Sequence, residues 1–114
     1  MKIVHDSKPG AQGDIIFYRI DEIPSDAKEM RPEKGRYIIA HSETGHHHTI
    51  GANNLRVFEA ANDPFVMYLA VDNDVELKHE RNFDTHESWQ FKKGFYKIYR
   101  QGQEAPEGWR YIID

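Results

Sequence analysis

Cysteine is missing from all 114 residues, which excludes a disulfide framework and leaves nitrogen and oxygen as the donors for any tight metal site. No apolar run approaches the ~20 residues of a membrane span. The start, Met1-Lys2-Ile3-Val4-His5-Asp6-Ser7, lacks a basic region followed by a long apolar one, so a soluble, cytoplasmic protein with no membrane partner is expected. Positive charge is not in excess either. Fifteen basic and nineteen acidic side chains give a formal charge of −4, without a global attraction to nucleic acid or anionic lipid. A phosphate-cradling glycine loop, a dinucleotide fingerprint and a nucleophile with a neighbouring base are all absent. Convincing helical periodicity is absent too. The chain is long enough for one well-buried core, and residues 1–114 read as a single domain.

What is present is a series of short β runs separated by turn residues. Gly13-Asp14 opens a run over residues 15–20, and further strands are expected over 36–41, 46–50, 55–59, 65–71, 75–79, 94–101 and 109–113. Between Asp21 and Gly35 lie Pro24, Pro32 and many charged residues, a surface connection with one helical turn expected after Ser25. The run Phe65-Val66-Met67-Tyr68-Leu69-Ala70-Val71 is apolar without alternation, the mark of a strand covered on both faces. Seven or eight strands at this spacing predict an all-β fold, an antiparallel β-sandwich or small β-barrel.

Histidine is the conspicuous residue. Four of seven fall within His41-Ser42-Glu43-Thr44-Gly45-His46-His47-His48, and neutral imidazole is the commonest protein ligand for transition metals. Side chains alternate along a strand, so His46 and His48 project from one face ~7 Å apart. That is near enough for both rings to reach one ion ~2.1 Å from each nitrogen. His79 shares a face with Val75 and Leu77 and is the expected third ligand; His86 follows it. His41, Glu43, Glu80 and Asp84 are additional or second-layer candidates. Nitrogen-rich coordination of this kind suits zinc, iron, manganese, nickel or copper, and a position left to water would permit Lewis-acid chemistry.

Two further patterns need weighing. From Ser88 to Gln103 there is no acidic residue, while Lys92, Lys93, Lys97 and Arg100 interleave with Trp89, Phe91, Phe95, Tyr96 and Tyr99. Basic and aromatic side chains together grip single-stranded nucleic acid, but aromatics in strands are usually core and a few cations in an acidic protein are usually a solvated face. Within the same strand Arg100 ends the row Tyr96, Ile98, Arg100, a position suited to holding an anion, or structurally to pairing with Glu80 or Asp84.

The order Gly13-Asp14, Ile23-Pro24, Thr44-Gly45-His46-x-His48-x-Ile50, Leu77-x-His79-Glu80, His86, Gly94-x-Tyr96-x-Ile98-x-Arg100-Gln101 and Arg110-Tyr111-Ile112-Ile113-Asp114 resembles a group of short, functionally uncharacterised proteins from bacteria and tailed phages. In that group the second histidine pair is more compact, like His-Glu-x-His, whereas here His86 lies seven residues beyond His79. The His-x-His pair also resembles, in part, the first metal motif of cupins, although the glutamate expected soon after it is missing from Thr49-Ile50-Gly51-Ala52-Asn53-Asn54. The resemblance implies a bacterial or phage origin and carries no established activity. The leading expectation is a small metal-binding protein whose ion is structural or catalytic. The alternatives are a phage capsid or tail component with histidines at a contact to virion neighbours or to another copy of itself, and a nucleic-acid-binding module.

Overall fold

A computed structural model describes residues 2–40, 47–79 and 88–100. Eleven strands lie among them: β1 (Lys2–Ile3), β2 (Gly10–Gln12), β3 (Ile15–Ile20), β4 (Lys28–Glu29), β5 (Arg36–Ala40), β6 (His48–Gly51), β7 (Leu55–Glu59), β8 (Val66–Val71), β9 (Val75–His79), β10 (Trp89–Phe91) and β11 (Gly94–Arg100). No helix occurs among the described residues. The strands form two sheets, β1-β10-β9-β6-β5 and β2-β3-β11-β8-β7-β4, antiparallel throughout except for the β1–β10 pair. The architecture is a β-sandwich.

Alternation builds the core. In β3, Ile15 and Phe17 face inward and are fully buried, and in β11 Tyr96 and Ile98 do the same. Leu55 and Val57 of β7, Met67 and Leu69 of β8, Ile50 of β6 and Leu77 of β9 complete the filling between the sheets. Every residue of β8 is buried, as its unbroken apolar run predicts. An aromatic cluster bridges the layers at one side: Phe17 meets Trp89 edge-on at 5.1 Å and Phe91 at 5.0 Å, and Phe91 meets Tyr96 at 4.8 Å. The buried Tyr96 hydroxyl donates to the Lys92 carbonyl at 2.6 Å, which satisfies the polar end of an otherwise apolar ring.

Gly10 is tied to this cluster by lack of space. A Cβ there would lie 2.5 Å from Phe17 Cε1 and 2.8 Å from Trp89 Cζ3. Gly10→Ala is therefore expected to destabilise by about 1–3 kcal/mol through overpacking, measured as a lower urea midpoint with an unchanged m-value.

Three expectations change. The segment after Ser25 makes no helical turn; the Ala27 amide closes a turn on the Pro24 carbonyl and the chain enters β4, which pairs with β7. Short strands β1, β2 and β10 add to the expected set because two or three neighbouring residues suffice to pair with a longer ladder, too few for a periodic signal. The described part of the strand expected over 46–50 begins at His48. The strand expected over residues 109–113 lies outside the described residues.

Candidate functional site: one end of the sandwich

Register brings one set of strand ends together. In the first sheet Ala40 pairs with His48 and His48 with His79, so positions 40, 48 and 79 form a row across β5, β6 and β9. In the second sheet Gln12 pairs with Ile15 and Ile15 with Arg100. The two rows face each other at the same end, because side chains from the second sheet reach the first there.

Gln12 makes the first crossing. Its Nε2 donates to the Leu77 carbonyl at 3.1 Å, and its Oε1 lies 2.7 Å from His48 Nδ1. A carbonyl cannot donate, so Leu77 fixes which end of the amide is the NH2 group and leaves Oε1 as an acceptor. His48 must then carry its proton on Nδ1, and in the neutral ring the lone pair sits on Nε2. His48 is buried at 5 % exposure and Gln12 at 6 %. The pairing answers the cost of placing two polar side chains beside an apolar core.

The turn between β2 and β3 lies against the same imidazole. Gly13 takes φ +60° at the first central position of a two-residue hairpin turn, where such turns ask for glycine. A Cβ on Gly13 would stand 3.1 Å from His48 Cε1 and 3.3 Å from Nε2. Glycine here satisfies both the turn and the approach to the ring.

Arg100 makes the second crossing. Its Nε and Nη2 donate to the Pro64 carbonyl at 3.2 and 2.9 Å, and Nη1 donates to the Ile39 carbonyl of β5 at 3.1 Å. Among the described residues it forms no ion pair with a carboxylate. Burial pulls its pKa down and the field of Glu59 opposes this. The arginine expected to hold an anion spends these donors on backbone oxygens and clasps β11 to β5. Its other expected partners, Glu80 and Asp84, lie outside the described residues.

Of the expected metal ligands, His48 is inward and buried, and position 79 is paired with it in the ladder. His41, Glu43, His46 and His86 lie outside the described residues. His5 is exposed, and His47 is half-buried. Among the described residues no group of three or more histidines, aspartates or glutamates comes together. Gln12 and Gly13 are the site residues that sequence reasoning missed. The Gly-Asp dipeptide before a β run was the available signal, since it marks a two-residue hairpin and so a partner strand carrying Gln12.

The basic and aromatic side chains of residues 89–100 are dispersed. Phe91 and Tyr96 are core, Trp89 packs against it, and Arg100 is committed to carbonyls. Lys92 pairs with Asp74 at 3.0 Å. Lys97 and Tyr99 lie on the outer face of the second sheet, opposite to Tyr96 and Ile98. Alternation thus divides a basic stretch of sequence between surfaces.

No helix among the described residues is long and apolar enough to cross a membrane. No curated protein and no solved structure matches the chain. A family model does match, over residues 11–101, from β2 past the end of β11 and including Gln12, Gly13, His48, His79 and Arg100. On that match the chain belongs to the family described as Domain of unknown function (DUF8820).

Proposed function

We propose that this protein is a small metal-binding β-sandwich in which His48 holds a transition-metal ion through Nε2 at the end of the sandwich. The observation that carries the reading is the Gln12 contact. Metal-binding histidines characteristically donate their second ring N–H to an acceptor that fixes tautomer and orientation, and Gln12 Oε1 stands 2.7 Å from Nδ1 in that role. His79, opposite His48 in register, is the next donor in this reading, with His46 and His86 as the remaining two. Zinc, iron, manganese, nickel and copper all suit such a set, and the ion is structural or catalytic.

Elemental analysis of protein purified without a histidine tag tests this. About one ion per chain is expected, with His48→Ala losing it and His5→Ala, an exposed control, keeping it. Protons compete for the imidazoles, so occupancy is expected to fall as the pH drops through about 6. Occupancy independent of pH, or unchanged in His48→Ala, would overturn the proposal. Sedimentation with and without chelator separates roles: an oligomer that dissociates assigns the ion to assembly, and an unchanged particle assigns it to the domain.

A further inference from the structure

The outer face of the second sheet carries a cleft of about 240 Å³ lined by Asp26, Asn62, Asp63, Tyr68, Lys97 and Tyr99 among others. It faces away from the core and from the Gln12–His48 contact, because Lys97 and Tyr99 alternate with the buried Tyr96 and Ile98 along β11. Three local features place its polar groups. The turn closed between Pro24 and Ala27 presents Asp26. The Asp63 Oδ1 accepts the Phe65 amide at 2.9 Å, which fixes that carboxylate in the turn before β8. Lys97 stands with its ammonium 4.7 Å from the centre of the Tyr99 ring.

Charge decides what such a cleft can take. Among the described residues Lys97 forms no ion pair with Asp26 or Asp63, so charges of both signs line one small space without neutralising each other. A ligand of one sign leaves part of this lining unpaired, whereas one carrying both charges can pair with Lys97 and with a carboxylate. The aromatic rings do not compete as stacking platforms. Tyr99 has Lys97 over it and Tyr18 stacked 6.2 Å away at an interplanar angle of 28°, and Tyr68 is buried. A sugar or a nucleobase stacking on Tyr99 would thus have to displace the Lys97 ammonium. The volume lies below the ~300–1,000 Å³ typical of drug-sized ligands, which excludes dinucleotides and favours a compact molecule.

We propose that this cleft binds a free α-amino acid as its zwitterion, with the Lys97 ammonium receiving the carboxylate and Asp26 and Asp63 receiving the ammonium. Asn62 and the tyrosine hydroxyls supply both donors and acceptors for the remaining polar atoms. Burial acts to lower the Lys97 pKa, but hydrogen bonding to Tyr99 and the fields of Tyr18, Tyr99 and Tyr68 raise it overall, so the group stays cationic at neutral pH. The same lysine, against the opposing effect of burial, holds the Tyr99 phenol below its usual value. This site is independent of the metal proposal.

Amide-resolved NMR titration of the whole chain with each of the twenty free amino acids provides the test. At least one is expected to saturate with a Kd of about 1 mM or tighter, with shifts centred on Asn62, Asp63, Lys97 and Tyr99. For the strongest binder, the carboxamide lacking the carboxylate and the N-acetyl form lacking the ammonium should each bind at least about tenfold more weakly. Lys97→Gln and Asp26→Asn change surface positions, and each should weaken binding by a similar factor while preserving the wild-type spectrum elsewhere. The proposal is overturned if no amino acid saturates, if blocked forms bind as well as free ones, if both variants bind as wild type does, or if only a monosaccharide control such as glucose shifts these residues.

Discussion

Replacing Gln12 with leucine is expected to separate two effects that meet at His48. The buried Nδ1–H loses its acceptor and the Leu77 carbonyl loses one donor, and leaving such a group unsatisfied costs about 1–3 kcal/mol of stability. In chemical denaturation of metal-free protein this should be read directly as a lower ΔG of unfolding. Loss of the contact that orients a metal-bound imidazole typically weakens affinity by about 10–100-fold, which competition with a coloured chelator would measure. Gln12→Glu distinguishes the two. A carboxylate still accepts from Nδ1–H and makes the imidazole a better donor, but it cannot donate to the Leu77 carbonyl at 3.1 Å. Stability should therefore fall while metal affinity holds or rises. If both variants bind metal as wild type does, Gln12 has no orienting role, and if neither is destabilised, the buried contact contributes nothing to the fold.

Arg100→Met should be at least as damaging to stability. The side chain keeps much of the arginine stem but none of the donors, so the Pro64 and Ile39 carbonyls lose three guanidinium N–H groups. Hydrogen bonds involving a charged group are worth about 1.5–3 kcal/mol each and do not add, which puts the expected cost near 3 kcal/mol. With m-values of about 1–3 kcal/mol/M, the urea midpoint should fall by roughly 1–3 M. Arg100→Lys should recover less than half of this, because a compact ammonium cannot reproduce a planar fork that reaches both the Pro64 carbonyl in the turn before β8 and the Ile39 carbonyl of β5. Amide exchange should rise first in β5, the edge strand that the clasp holds. Full recovery by lysine would show that charge alone, and not the geometry of the fork, closes this end.

Arg100 also shows how far residue patterns reach. Period-two alternation places it at the end of the Tyr96–Ile98 row, and that is where it stands. Its partners were out of reach of the pattern, since they are backbone oxygens 36 and 61 residues away, and every residue offers the same carbonyl. His48 behaves alike. Alternation puts it on the inward face with Ile50, and both are buried. Gln12, the residue that sets its protonation, lies 36 positions earlier on a strand of three residues, Gly10-Ala11-Gln12, without a β-branched or aromatic side chain to announce it. The basic stretch from Lys92 to Arg100 errs in the other direction: neighbours in sequence look like one surface, but Lys92 sits in the turn before β11 and the pleat of β11 sends Lys97 and Arg100 to opposite sides.

Local chemistry settled the all-β class, most of the longer strands, the doubly covered β8 and the inward direction of His48, because side-chain direction and turn preference are properties of a few adjacent residues. Pairing order and the opposing charges of the outer cleft came from strand pairing within the sheets and their turns, and the meeting of Gln12 with His48 and the use of Arg100 as a clasp came from packing two sheets face to face. Each depends on contacts between residues far apart along the chain, and a register shift of one position would undo them all without altering a single local preference.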